Sequence, residues 1–130
     1  MPDYIKLLNI TAENIKKTDA SIFVTFDVPS SLPWFDGHFP EQAVLPAVII
    51  AEISDALTEH IYGVSPKWVA SAKFKGPVYP NKNICVMLHT FNSDSVQIVW
   101  KIGKGESNES GAQHNNFEND HPLVDMKFHL

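Results

Sequence analysis

The chain has 130 residues, 44% hydrophobic and 19% charged, which predicts one globular domain over 1–130 and not two. A formal net charge of -5 argues against nucleic acid as the main partner, and the ten basic residues are all lysines, so an anionic partner meets point charges and not bidentate forks. No apolar run reaches eighteen residues, the opening Met1-Pro2-Asp3-Tyr4-Ile5-Lys6 lacks the layout of a signal peptide, and the single Cys85 excludes an internal disulfide framework. The expectation is a cytoplasmic protein without membrane insertion.

Tyr4 to Ile15 reads either as a strand or as a short amphipathic helix beginning at Thr11. Ser21 to Val28 has the β-branched and aromatic density of a strand. A stretch rich in Gly, Pro and aromatics follows, Trp34-Phe35-Asp36-Gly37-His38-Phe39-Pro40, and then Val44-Leu45-Pro46. Ile49, Ile53, Ala56, Leu57, His60 and Ile61 recur at helical spacing until Gly63, which predicts one helix roughly 25 Å long, apolar along almost one whole side.

Lys67 to Val78, Ile84 to Phe91 and Ser95 to Ile102 read as strands, split by turn signals at Pro80-Asn81 and Asn92-Ser93-Asp94, the last pair as an antiparallel hairpin. Cys85, inside this pattern, reads as a small buried hydrophobe. Residues 103–122 are polar and predict a mobile loop, after which Leu123 to Leu130 alternates again and is expected as a final edge strand. Strands, one central helix and a run of antiparallel strands make an α+β domain with the sheet curled around a single helix.

Gly37-His38-Phe39-Pro40, Val44-Leu45-Pro46 and Glu52, fourteen positions after His38, resemble the β-hydroxyacyl-acyl carrier protein dehydratases of the FabA/FabZ type, which have the hotdog fold. Lys73-Phe74-Lys75-Gly76-Pro77-Val78-Tyr79-Pro80 is similar to the second signature of those enzymes, and the Trp34-Phe35 opening is closer to the ApeI-type dehydratases of polyene and modified-lipid pathways. The resemblance implies a catalytic pair at His38 and Glu52, a thioester-carbonyl contact at the backbone N–H of Ala47, no metal or organic cofactor, and a homodimer in which His38 of one subunit faces Glu52 of the other. It further implies an acyl thioester on acyl carrier protein or coenzyme A as substrate.

Chemistry supports the same roles. Removing water from a 3-hydroxyacyl thioester takes a base for the C2 proton, an acid for the departing C3 hydroxyl, and donors for the developing enolate oxygen. Histidine is neutral at physiological pH and suits the base; a glutamate kept protonated by burial and by a neighbour such as Asp55 suits the acid. Pro46 is expected at the first helical position with Leu45 as an N-cap without a side-chain acceptor, which leaves the Ala47 and Val48 amides open at the positive helix end. The rival reading places Glu52 in a solvated stripe with Asp55 and Glu59.

Three departures from the family pattern bear on activity: Ala47 stands where glycine is usual, Ala56 replaces an amide four residues beyond the acid, and Asn81 replaces a glycine, although asparagine tolerates left-handed backbone angles. Lys67, Lys73, Lys75 and Lys82 cluster in sequence and are candidates for docking an acidic carrier protein. The histidines His114, His121 and His129 have no recognised metal-site spacing. Two other functions stay open: a hotdog thioesterase in which Glu52 activates water, and a non-catalytic hotdog subunit that binds an acyl chain or carrier protein.

Overall fold

A computed structural model describes residues 2–35, 44–103 and 122–130. The elements in chain order are α1 (Tyr4–Leu7), β1 (Ile15–Lys17), β2 (Ile22–Asp27), α2 (Ala47–Tyr62), β3 (Trp68–Phe74), β4 (Asn83–Asn92), β5 (Ser95–Ile102) and β6 (Val124–His129), with short 3-10 turns at Ala12–Asn14 and Pro33–Phe35. The strands form one six-stranded sheet in the order β1-β2-β4-β5-β6-β3, antiparallel at every pairing. An antiparallel sheet around one long helix is the hotdog arrangement that the motifs imply.

The central helix forms where the 3.6 period puts it. Its sixteen residues span about 24 Å, and Ile49, Ile50, Ile53 and Leu57 turn one face into the core. Gly63 ends it in the left-handed region at φ 76, donating its N–H to the Glu59 carbonyl at 2.8 Å. The start lies one residue later than expected: Pro46, at φ -63 and ψ 148, is the N-cap, not Leu45. The cause is packing, because Leu45 is buried and its N–H donates to the Val78 carbonyl at 2.9 Å, which keeps it in the chain entering the helix.

The sheet presents alternate residues to that helix, as a period of two requires. Ile84, Val86 and Leu88 of β4, then Val96, Ile98 and Trp100 of β5, are fully buried. Trp100 also meets Phe26 edge-on at 5.7 Å between ring centroids. Two buried hydroxyls on α2 are satisfied locally: Ser54 donates to the Ile50 carbonyl and Thr58 to the Ser54 carbonyl, both at 2.8 Å. Cys85 belongs to the opposite register, so it is half-buried on the outer face and not in the core as expected.

Three further sequence expectations change. The strand after the helix stops at Phe74, because the Lys75 and Gly76 amides both turn to the Leu123 carbonyl. The final strand is not an edge: β6 lies between β5 and β3, with Trp68 opposite His129 and Phe74 opposite Val124. Its inner residues Val124, Met126 and Phe128 are buried, whereas every residue of β3, an edge strand of the sheet like β1, is exposed. The N-terminal stretch holds a helix at Tyr4–Leu7, a turn capped by Thr11, and a three-residue strand. Asn81 adopts the left-handed conformation anticipated for it, at φ 65. Of the polar loop expected over 103–122, residues 104–121 lie outside the described residues.

Candidate active site

The candidate acid sits midway along α2. Glu52 is half-buried and its Oε1 accepts a hydrogen bond from the Tyr4 hydroxyl, brought in by α1. It is therefore not part of a solvated stripe, although Glu59, two turns on, is exposed. Asp55, half-buried between them, has its carboxyl pKa raised by burial first, then by Glu59 and by Glu52. The same surroundings act on the phenol: burial, the bond to Glu52 and the charge of Glu52 push the Tyr4 pKa well above the usual tyrosine range. Ala56 offers no hydrogen-bonding side chain four residues beyond Glu52, and the bond to Glu52 comes from the Tyr4 phenol.

At its N-terminus the helix has open donors. Pro46 provides no side-chain cap, and its carbonyl takes the Ile49 and Ile50 amides, both at 3.0 Å. The Ala47 and Val48 amides have no partner among the described residues, and both residues are exposed, Val48 to 62%. Open N–H groups at the positive end of a helix dipole suit an oxygen that gains negative charge. Ala47 lies about 7.5 Å along the axis from Glu52, and Val48 shares the face of Glu52 at a spacing of four. His38, the candidate base, lies outside the described residues.

The four candidate docking lysines divide. Lys73 stands on β3 opposite Asp125, Lys75 follows that strand and Lys82 directly precedes β4. All three lie at the end of the sheet where Phe74, Val124 and Asn83 sit, and the Leu45–Val78 bond holds the start of α2 at that same end. Lys67 lies at the other end, where its amide donates to the His129 carbonyl, roughly a strand length of 23 Å away. All four are exposed.

His114 and His121 lie outside the described residues, and the other histidines stand away from Glu52 in different settings. His89 Nδ1 bonds the Ala20 carbonyl at 2.8 Å, His129 stacks on Trp68 with centroids 4.3 Å apart, and His60 is exposed on the last turn of α2. Among the described residues no group of three or more His, Cys, Asp or Glu side chains is placed to hold a metal ion. A cavity of about 510 Å³ opens between α1 and α2, lined by Tyr4, Asp55, Ala56, Glu59 and His60 among others. A larger one, about 930 Å³, lies on the outer face of the sheet against Thr25, Asp27, Lys82 and Cys85 and touches neither Glu52 nor Ala47. Among the described residues no helix is long and apolar enough to cross a membrane.

Tyr4 is the residue that the sequence did not disclose. A tyrosine near the start of a chain carries no motif, and α1 is a single turn, too short for hydrophobic periodicity to show.

Known proteins match this arrangement at several levels. The 3-hydroxyacyl-[acyl-carrier-protein] dehydratase FabZ of Paramagnetospirillum magneticum is 32% identical over 91 residues, which are 62% of this chain and 55% of that relative. The chain therefore spans little more than half the length of that relative. Among solved structures, the dehydratase heterocomplex ApeI:P from Xenorhabdus doucetiae superposes with a TM-score of 0.65 at 16% identity, over 88% of this chain and 89% of that one. A thioesterase variant from Pseudomonas aeruginosa does so with a TM-score of 0.54 at 11% identity, over 96% and 81%. Both likenesses establish the shared fold. The family model for ApeI-like proteins, described as ApeI dehydratase, matches residues 14–113. The chain belongs to the ApeI-like dehydratase family.

Proposed function

We propose that the protein removes water from (3R)-hydroxyacyl thioesters, carried on acyl carrier protein, to give trans-2-enoyl thioesters in fatty-acid or related lipid synthesis. The observation that carries this reading is the placement of Glu52: a half-buried carboxyl on the central helix, held by Tyr4, just along from two open amides. In this reaction His38 takes the C2 proton, the Ala47 amide receives the thioester oxygen as it gains charge, and Glu52 protonates the C3 hydroxyl as water leaves. No metal or organic cofactor takes part. Family membership and the FabZ relative favour dehydration over other chemistry at this site.

The working unit is a cytoplasmic homodimer. β3 is an outer strand with seven exposed residues, Trp68, Val69 and Phe74 among them, and pairing with a second copy removes that open edge. His38 of one subunit then faces Glu52 of the other. Lys73, Lys75 and Lys82, at the sheet end that holds the start of α2, receive the acidic carrier protein, and Lys67 makes a separate, weaker contribution from the opposite end.

Incubation with a (3R)-hydroxyacyl thioester tests the reading. Ultraviolet absorption of an enoyl thioester supports it, and His38→Ala and Glu52→Gln variants should each lose at least about a hundredfold in rate. Release of free thiol without enoyl product would instead identify a thioesterase. Binding of acyl carrier protein with neither product, unchanged in both variants, would identify a non-catalytic subunit.

A further inference from the structure

Tyr4 stands on a one-turn helix far from α2 in sequence, yet its side chain is 1% exposed and its hydroxyl donates to Glu52 Oε1. Its ring packs against Trp34 with centroids 5.5 Å apart, in the turn that leads into Gly37-His38-Phe39-Pro40. A buried phenol needs a hydrogen-bond partner, and a backbone carbonyl would serve. Here the partner is the carboxyl that the proposed reaction requires.

We infer that Tyr4 is a positioning residue for the dehydration site: its hydroxyl holds Oε1 of Glu52 as a standing acceptor and leaves Oε2 as the oxygen that delivers the proton. This inference rests on the dehydratase reading and deepens it. The phenol pKa is raised by burial and by Glu52, so Tyr4 keeps its proton throughout the working range and acts as a donor, not as the acid. In the chemical step, Oε2–H gives its proton to the C3 hydroxyl and the C3–O bond breaks with its electrons leaving on water. The C2–H electron pair, freed as His38 takes that proton, becomes the C2=C3 double bond. Glu52 is left as a carboxylate, and the bond from Tyr4 becomes charge-assisted at that moment. A contact that strengthens as the proton leaves lowers the barrier more than it tightens substrate binding.

Among the described residues, the ionisable groups around Glu52 are Tyr4 from α1 and, on α2 itself, Asp55 one turn on and Glu59 two turns on. Asp3 and Lys6, the other charged residues of the N-terminal segment, are exposed. The Pro33–Phe35 turn brings none, and the sheet face under α2 is apolar apart from the Trp100 indole.

The test compares wild type, Tyr4→Phe and Glu52→Gln for kcat and KM on a (3R)-hydroxyacyl-coenzyme A, together with their melting temperatures. Tyr4→Phe keeps the ring against Trp34 and removes only the oxygen. Its kcat should fall about ten- to a hundredfold with KM changed less than about twofold, as expected for a lost hydrogen bond to a charged group. A Tyr4→Phe protein whose kcat is unchanged, or whose kcat falls only in step with its melting temperature, overturns the proposal, since the latter marks a purely structural role. Loss of activity in Glu52→Gln alongside an unaltered Tyr4→Phe overturns the proposal alone. Full activity in Glu52→Gln, or no turnover by the wild type, overturns the dehydratase reading and this proposal with it.

Discussion

The indole N–H of Trp100 donates to Ser54 Oγ across 2.9 Å, a bond between sheet and helix in which both residues are fully buried. Because Ser54 Oγ also donates to the Ile50 carbonyl, the hydroxyl accepts from one element and donates within the other. Ser54→Ala leaves the indole N–H without a partner in the core. The expected loss is about 1–3 kcal/mol, read as a lower midpoint in urea denaturation with an unchanged slope. An unchanged midpoint would mean that the indole finds another acceptor.

Ala47 should set how closely the substrate carbonyl approaches the open helix end. The residue is exposed on the first turn, beside two amides that have no partner among the described residues. Ala47→Gly restores the residue usual in the family and should raise kcat/KM severalfold on long-chain 3-hydroxyacyl thioesters. The fold should lose no more than about 1 kcal/mol, since the site is at the end of the helix and not in its interior. Steady-state kinetics across chain lengths decides the point; equal values for both proteins would count against an acyl approach over this turn.

Asp55 weakens the fold at neutral pH. Burial, then Glu59, then Glu52 raise its carboxyl pKa above the ordinary 3.8, so the folded state binds this proton more tightly than the unfolded chain does. The penalty applies in full above the raised pKa and disappears as the pH falls through it towards 3.8. Asp55→Asn should therefore melt at a higher temperature than wild type at pH 7. The two curves should converge in acid, and a gain that persists equally at pH 3 would exclude the electrostatic cause.

Gly63 carries a cost of backbone shape alone. At φ 76 it lies in the left-handed region, and a Cβ built there meets no atom within 4 Å. Gly63→Ala should thus lose about 1–2 kcal/mol from torsion, without any clash. Gly63→Asn should recover part of it. Thermal denaturation of the three proteins checks the order Gly, Asn, Ala.

Where residues repeat with one period, the sequence discloses its structure. The central helix follows Ile49, Ile53 and Leu57, and β4 and β5 follow strict alternation. Pairing between distant strands leaves no such trace, which is why β6 was expected at an edge although β3 lies outside it. The cap at Pro46 moved by one residue because Leu45 finds both a core site and the Val78 carbonyl, neither of which local spacing reveals. Within the site, Glu52 was legible from its distance to a Gly-His-Phe-Pro motif. Tyr4, forty-eight positions away, was not, because only the packing of α1 onto α2 brings the two together.

The order of the strands also fixes when the sheet can be completed. β3 follows the central helix directly, yet its one partner in the sheet is β6, with Trp68 against His129 and Phe74 against Val124. During folding its ladder can form only once residues 124–129 have reached it. Closing so long a stretch of chain raises the contact order and puts refolding in the roughly millisecond-to-second range typical of non-local sheets. Until then its seven residues lack that ladder, and Trp68, Val69 and Phe74 remain open to association with another chain.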